Sequence, residues 1–197
     1  MKKVIIATKN KGKAKEFKTL FAKYNIQAVS LLELKDNMPD VDETGSTFEE
    51  NAALKAEEIA GVLNTPVLAD DSGLVIDALG GRPGIYSARY AGEPKNDQAN
   101  TEKVIAELAN VPEHERTARF VCVLAVAIPG NNTILKSGYC EGRIGTHPKG
   151  ENGFGYDPIF IPEGFEETMA ELSSEEKNNI SHRNNAIVQL EDWLRSI

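Results

Sequence analysis

The chain has 197 residues, 41% of them apolar and 26% charged, which suits one soluble domain with a sizeable core, here read as a single domain over 1–197 with two lobes. No apolar run approaches the ~20 residues that a membrane helix requires, and the cytoplasm is the expected compartment. A formal net charge of -8 argues against non-specific binding to nucleic acid or a membrane, so a phosphate-bearing ligand would need a local basic site.

Such a site stands near the start. Val4-Ile5-Ile6-Ala7 is a short apolar run and predicts a buried strand. Thr8-Lys9-Asn10-Lys11-Gly12-Lys13 is a polar loop, after which Ala14, Phe17, Leu20, Phe21 and Tyr24 recur at helical spacing. A helix N-terminus offers N–H groups and partial positive charge to an anion, and Lys9, Lys11 and Lys13 add point charges. The loop lacks the Walker spacing. Lysine at this helix end gains nothing from the dipole, so removing Lys13 should leave the free protein no less stable.

Gln27 to Ser30 predicts a second strand, and Glu33 to Asp42 a loop. Ser46 with Glu49, or Thr47 with Glu50, gives a capping-box signature. Phe48, Ala52, Ala56, Ile59, Ala60 and Leu63 then form one apolar helical face. Glu43 precedes this helix, where an acid could complement the dipole or bind a metal. Pro66 to Ala69 predicts a strand ending at Asp70-Asp71, with Ser72-Gly73 as a turn and Leu74 to Leu79 as another strand. Adjacent carboxylates on extended backbone point to opposite faces and take different partners. They are costly beside an apolar strand unless a cation or donors meet them.

Gly80 to Tyr90 is a glycine- and proline-rich loop, and Asp97 is placed to cap a helix through Ala109. Pro112 to Arg116 is a polar connector. Thr117 to Ile128 predicts a strand buried on both faces, with Thr133 to Gly145 as its hairpin partner. Cys122 and Cys140 lie in these strands and are expected as free buried thiols. In Gly150 to Pro162, Phe154 between two glycines could stack on a flat ligand or fill the core. A polar stretch over Ser173 to Asn184 precedes a closing helix marked by Ile187, Leu190 and Leu194.

Six stretches in order carry a resemblance: Ala7 to Lys13, Glu43 to Ala52, Ala69 to Leu74, Pro83 to Tyr90, Gly153 to Pro158 and Ser181-His182-Arg183. Together they resemble the inosine triphosphate pyrophosphatase family, also called XTP/dITP diphosphatases. Lys9 and Lys11 depart from it, standing where this family often has smaller residues. The resemblance implies an α/β fold with a long twisted mixed sheet flanked by helices, two lobes and a central cleft. It implies a homodimer and Mg²⁺-dependent hydrolysis of non-canonical purine nucleoside triphosphates (ITP, dITP, XTP) to monophosphate and pyrophosphate, with Mn²⁺ as a substitute ion. Carried over by position, Thr8, Asn10 and Lys13 in the loop with Lys9, Lys11 and Gly12 would hold phosphates. Glu43 and Asp71 would bind the metal, and Asp71 would also accept the proton. Ser72 and Lys177 would contact substrate; Phe154, Gly155, Tyr156, Asp157, His182 and Arg183 would hold the base. The residues themselves leave open whether Asp70 or Asp71 is the catalytic base. A metal-independent purine nucleotide-binding or sensor protein is the alternative; it would need no Glu43–Asp71 pair.

Overall fold

Apolar runs set the strands, and caps set the helix starts. The computed structural model describes residues 2–34 and 38–197; positions 35–37 of the expected Glu33–Asp42 loop lie outside them. In chain order the elements are β1 (Lys2–Ile6), α1 (Lys11–Ala22), β2 (Ile26–Ser30), α2 (Phe48–Leu63), β3 (Val67–Ile76) and α3 (Asp97–Glu107). They continue with β4 (Thr117–Ala127), β5 (Ile134–Ile144), β6 (Phe160–Pro162), α4 (Ser174–Ile180), α5 (His182–Val188) and α6 (Glu191–Ser196). Among the described residues the strands form one mixed six-stranded sheet, ordered β2-β1-β3-β4-β5-β6, with flanking helices. β1 pairs in parallel with β2 and β3, and β5 pairs antiparallel with β6.

The chain divides into two compact units. The first comprises Met1–Asp71, Cys122–Gly138 and Arg183–Ile197. Its core gathers Val4 and Ile6 of β1, Phe17, Leu20 and Phe21 of α1, Cys122, Leu124 and Val126 of β4, and Ile187 of α5. The second comprises Ser72–Val121 and Tyr139–His182. Leu74, Ile76, Val104, Leu108, Phe120, Cys140 and Phe160 centre its core. Both cysteines are free and buried, each in the core of a different unit.

Several expectations are corrected. Ser72-Gly73 is no turn: β3 runs unbroken from Val67 to Ile76, and a 3-10 turn over Asp77–Leu79 replaces the end of the second strand. Residues 67–71 and 73–74 are buried, so ladder hydrogen bonds and burial override the local turn preference of Ser-Gly. Asn96, not Asp97, caps α3 by accepting from the Ala99 N–H at 3.0 Å. The Gly80–Tyr90 loop contains a 3-10 helix over Gly84–Arg89, and the polar connector one over Glu113–Glu115. α4 was not foreseen, although Ser173 and Glu176 form a complete capping box at its start. The single closing helix is two, α5 and α6. At α2, Thr47 accepts from Glu50 N–H, but the Glu50 carboxylate reaches Ser46 rather than closing the box on Thr47.

A smaller cap after β2 makes an acid-sensitive contact. Glu33 Oε1 accepts from the Ser30 N–H and hydroxyl at 2.9 and 2.8 Å, and its Oε2 pairs with Lys18 Nζ at 2.8 Å. The Lys18 hydrogen bond, then the two from Ser30, pull the Glu33 carboxyl down to about 2. A depressed carboxylate contributes its stability above its unfolded pKa and loses it as pH falls through the folded value. Glu33→Gln should therefore lower stability slightly at neutral pH, by less than ~1 kcal/mol because the pair is solvent-screened, and Tm with it. The two Tm curves should converge by about pH 2; parallel curves would refute the contact.

Candidate active site

β1 ends in the core, and the chain leaves it through Thr8 into α1. Thr8 Oγ1 accepts from Asn10 N–H at 3.1 Å. Asn10 caps α1, its Oδ1 accepting from Gly12 N–H at 2.9 Å and Lys13 N–H at 3.1 Å. The three lysines part company. Lys9 turns to Asp40 at 2.6 Å and donates to the Met38 carbonyl at 2.9 Å, and Lys11 is exposed. Lys13 pairs with Asp70 Oδ2 at 3.0 Å, with 15% of its side chain exposed. The ion pair stands against the expectation that Lys13 adds nothing to the free fold, while burial, the larger influence on Lys13 itself, pushes its pKa down. Its removal strips a partner from a carboxylate that is 1% exposed.

Strand alternation separates the two aspartates. Asp70 faces Lys13 and, at 3.6 Å, the Nε of Arg183, whose Nη1 pairs with Glu16 at 2.7 Å. Burial alone would raise the Asp70 pKa, but Lys13, then Arg183 and Lys55, outweigh it and hold the carboxyl well below the carboxylate range. Arg183 is 3% exposed; burial opposes its charge, and Glu16 and Asp70 more than offset that. Asp71 faces Lys55 at 3.6 Å. There burial dominates and raises its pKa, against the pull of Lys55 and Lys13. The two adjacent acids thus differ: Asp70 is a firmly ionised counter-ion, Asp71 a more basic carboxylate.

Lys55 is the residue that the sequence reading missed. Its Nζ lies 2.9 Å from Glu43 Oε1 as well as 3.6 Å from Asp71, so one ammonium joins both expected metal ligands. The signal was available: positions 48, 52, 55 and 59 fall on one face of α2, and a lysine within an apolar stripe calls for an acidic partner. The Glu43 loop is pinned to the same helix. The Gly45 N–H donates to Asn51 Oδ1 at 2.8 Å, and Asn51 is 1% exposed. A Cβ on Gly45 would meet Glu50 Cβ at 2.6 Å and Asn51 Oδ1 at 2.7 Å, so only glycine allows this approach.

The second unit holds the other candidates. Asp157 Oδ2 accepts from Lys177 Nζ at 2.5 Å and from Phe154 N–H at 2.9 Å, and the Lys177 ammonium sits 5.0 Å from the Phe154 ring centre. Gly153 has φ +78°, and a Cβ there would lie 2.0 Å from Asp157 Oδ2, which makes glycine obligatory. Gly155 N–H donates to Asp97 Oδ2 at 2.9 Å, and the Tyr156 hydroxyl donates to the Ser87 carbonyl at 2.7 Å. Gly155, Tyr156 and Asp157 therefore hold the loop that presents Phe154. Asp97, read from the sequence only as a helix cap, and Ser87 are the partners of Gly155 and Tyr156. His182 is 4% exposed and stacks on Phe120 at 5.0 Å and 19°. Ser72 is half-buried on β3. Neighbours in sequence, His182 and Arg183 belong to different units, and Arg183 is engaged with Glu16 and Asp70.

Among the described residues no group of three or more His, Cys, Asp or Glu is arranged to hold a metal. Two carboxylates sharing one cation do fit Mg²⁺, a hard ion that takes one or two carboxylates and fills its other positions with phosphate oxygens and water.

Sheet order, the capped helix after β1 and the buried acid–lysine centre define an α/β protein of one particular architecture. A profile of the Ham1 family matches residues 4–193, and the chain belongs to that family. It is 65% identical over 197 residues to a protein of Oceanobacillus iheyensis named dITP/XTP pyrophosphatase, covering 100% of both chains. Among solved structures, the Staphylococcus aureus Ham1 protein is 49% identical with a TM-score of 0.86, covering 99% of each chain. A HAM1 protein from Coxiella burnetii is 40% identical with a TM-score of 0.87, covering 100% of each.

Proposed function

We propose that this chain hydrolyses non-canonical purine nucleoside triphosphates (dITP, XTP and ITP) to the monophosphate and pyrophosphate, with a divalent metal, as a cytoplasmic homodimer. Relatives named dITP/XTP pyrophosphatase and aligned over the full chain support the reaction. The observation that carries it is the pair Glu43 and Asp71 converging on one cation, beside Lys13 and Asp70.

Each group then has a task. Lys13 and Lys55 offset the negative charge that collects on the phosphates and on the leaving pyrophosphate. Asp71, the more basic of the two aspartates, takes a proton from the attacking water. The water oxygen bonds to the α-phosphorus as the bond from that phosphorus to the bridging oxygen breaks, and pyrophosphate leaves. Asp70 keeps Lys13 and Arg183 in place rather than accepting a proton. A bound Mg²⁺, held by Glu43 and Asp71, would polarise the phosphate and lower the cost of water attack. Phe154, held by Asp157, offers a face to the purine, with Lys177 beside it.

The test is a panel of nucleoside triphosphates with separate detection of pyrophosphate and inorganic phosphate, run with Mg²⁺, with Mn²⁺ and with EDTA. Pyrophosphate should be the product from ITP, dITP and XTP, and EDTA should abolish it. Unchanged turnover in EDTA, or release of inorganic phosphate alone, would sink the reading. Binding without turnover under every condition would favour a sensor protein.

A further inference from the structure

Two carboxylates meant for a metal would repel each other without a cation, and here the cation is built into the chain. Lys55 reaches Glu43 and Asp71 from α2, where Ala52, Ala56 and Ile59 are fully buried and fix the helix face that carries it. Its side chain is 13% exposed, so its ammonium is delivered by packing rather than drawn in from solvent. Glu43 is fixed on the other side, since the Gly45–Asn51 contact ties its loop to the same helix. Mg²⁺ binds carboxylate oxygens at roughly 2.0–2.1 Å. An ammonium already on the same two carboxylates is then within a few ångströms of it, where two cations repel strongly at reduced dielectric.

We propose that Lys55 is the resident counter-cation of the Glu43–Asp71 pair, and that a divalent ion gains those carboxylates only by displacing its ammonium. The nucleotide-free protein then binds metal poorly, and the ion enters together with the triphosphate, whose negative charge offers the displaced ammonium another partner. Metal affinity is thereby made conditional on substrate. This rests on the reading of Glu43 and Asp71 as the metal ligands.

The experiment titrates Mn²⁺ into nucleotide-free protein and follows the free ion by its paramagnetic resonance signal. Wild type and Lys55→Arg, which keep the charge, should bind weakly. Lys55→Gln, which removes the charge and keeps a hydrogen-bond donor on a side chain one atom shorter, should bind at least ~10-fold more tightly, the effect of removing one unit charge at this distance. Lys55→Met is the second neutral variant, and thermal scans check that each is folded. Mn²⁺ should raise the Tm of the neutral variants more than that of wild type. Adding Asp71→Asn to Lys55→Gln should cancel the gain. If both neutral variants bind Mn²⁺ no better than wild type while turnover still needs metal, the proposal is overturned and the ligand assignment survives. If no variant responds to Mn²⁺ and turnover persists in EDTA, the assignment and the proposal fall together.

Discussion

Asp71→Asn should lower kcat by at least ~10² at saturating Mg²⁺, within the range for loss of a general base. Asparagine has nearly the same shape, so β3 and the packing around it should hold. It keeps an oxygen for Lys55 but accepts no proton at neutral pH. Lys55 retains Glu43 at 2.9 Å, which limits the cost to stability. Glu43→Gln is the informative control. It weakens the metal pair without touching the base, so it should raise the Mg²⁺ concentration needed for half-maximal rate more than it lowers kcat. Paired measurements of kcat and Mg²⁺ dependence on both variants separate the two roles. An Asp71→Asn enzyme with near wild-type kcat would remove Asp71 from the chemistry.

Arg183→Ala should cost stability and activity together. Arg183 is 3% exposed and pairs with Glu16 at 2.7 Å and with Asp70 at 3.6 Å. Breaking a buried pair by removing one partner costs ~3–5 kcal/mol, because the remaining charge stays desolvated. At ~2–4 °C per kcal/mol for a chain of this size, Tm should fall by roughly 6–20 °C. A second effect separates structure from recognition. Arginine only donates hydrogen bonds, so it suits the 6-oxo group of hypoxanthine or xanthine and mismatches the 6-amino group of adenine. A site built on such a pairing can discriminate by roughly 10⁴. If Arg183 reads the base, the ratio of kcat/KM for ITP over ATP should shrink in the variant. A large fall in Tm with that ratio unchanged would leave Arg183 as the partner of Asp70 and Glu16 and nothing more.

The order of strands and helices was largely legible in the chain, because its signals are local. The apolar run over Thr117 to Ile128 became β4, and the stripe from Phe48 to Leu63 became α2 with those bounds. Asn10 before Lys11 carries its own cap, and the six motifs placed the family without any tertiary information. What failed locally was overruled by burial. Ser72-Gly73 has turn chemistry, yet it lies in the middle of β3, because a buried strand gains more from its ladder than two residues gain from a turn.

The electrostatics of the centre were decided by tertiary structure alone. Strand alternation predicts that Asp70 and Asp71 face different ways, but not that one meets Lys13 and Arg183 while the other meets Lys55. Glu16 and Arg183 are 167 positions apart in sequence, and no periodicity links them. Which acid becomes a fixed counter-ion and which stays basic depends on how many cations the fold brings within a few ångströms of each. Composition sets how many charges the chain has, motifs set which chemistry they serve, and only packing sets which charge neutralises which.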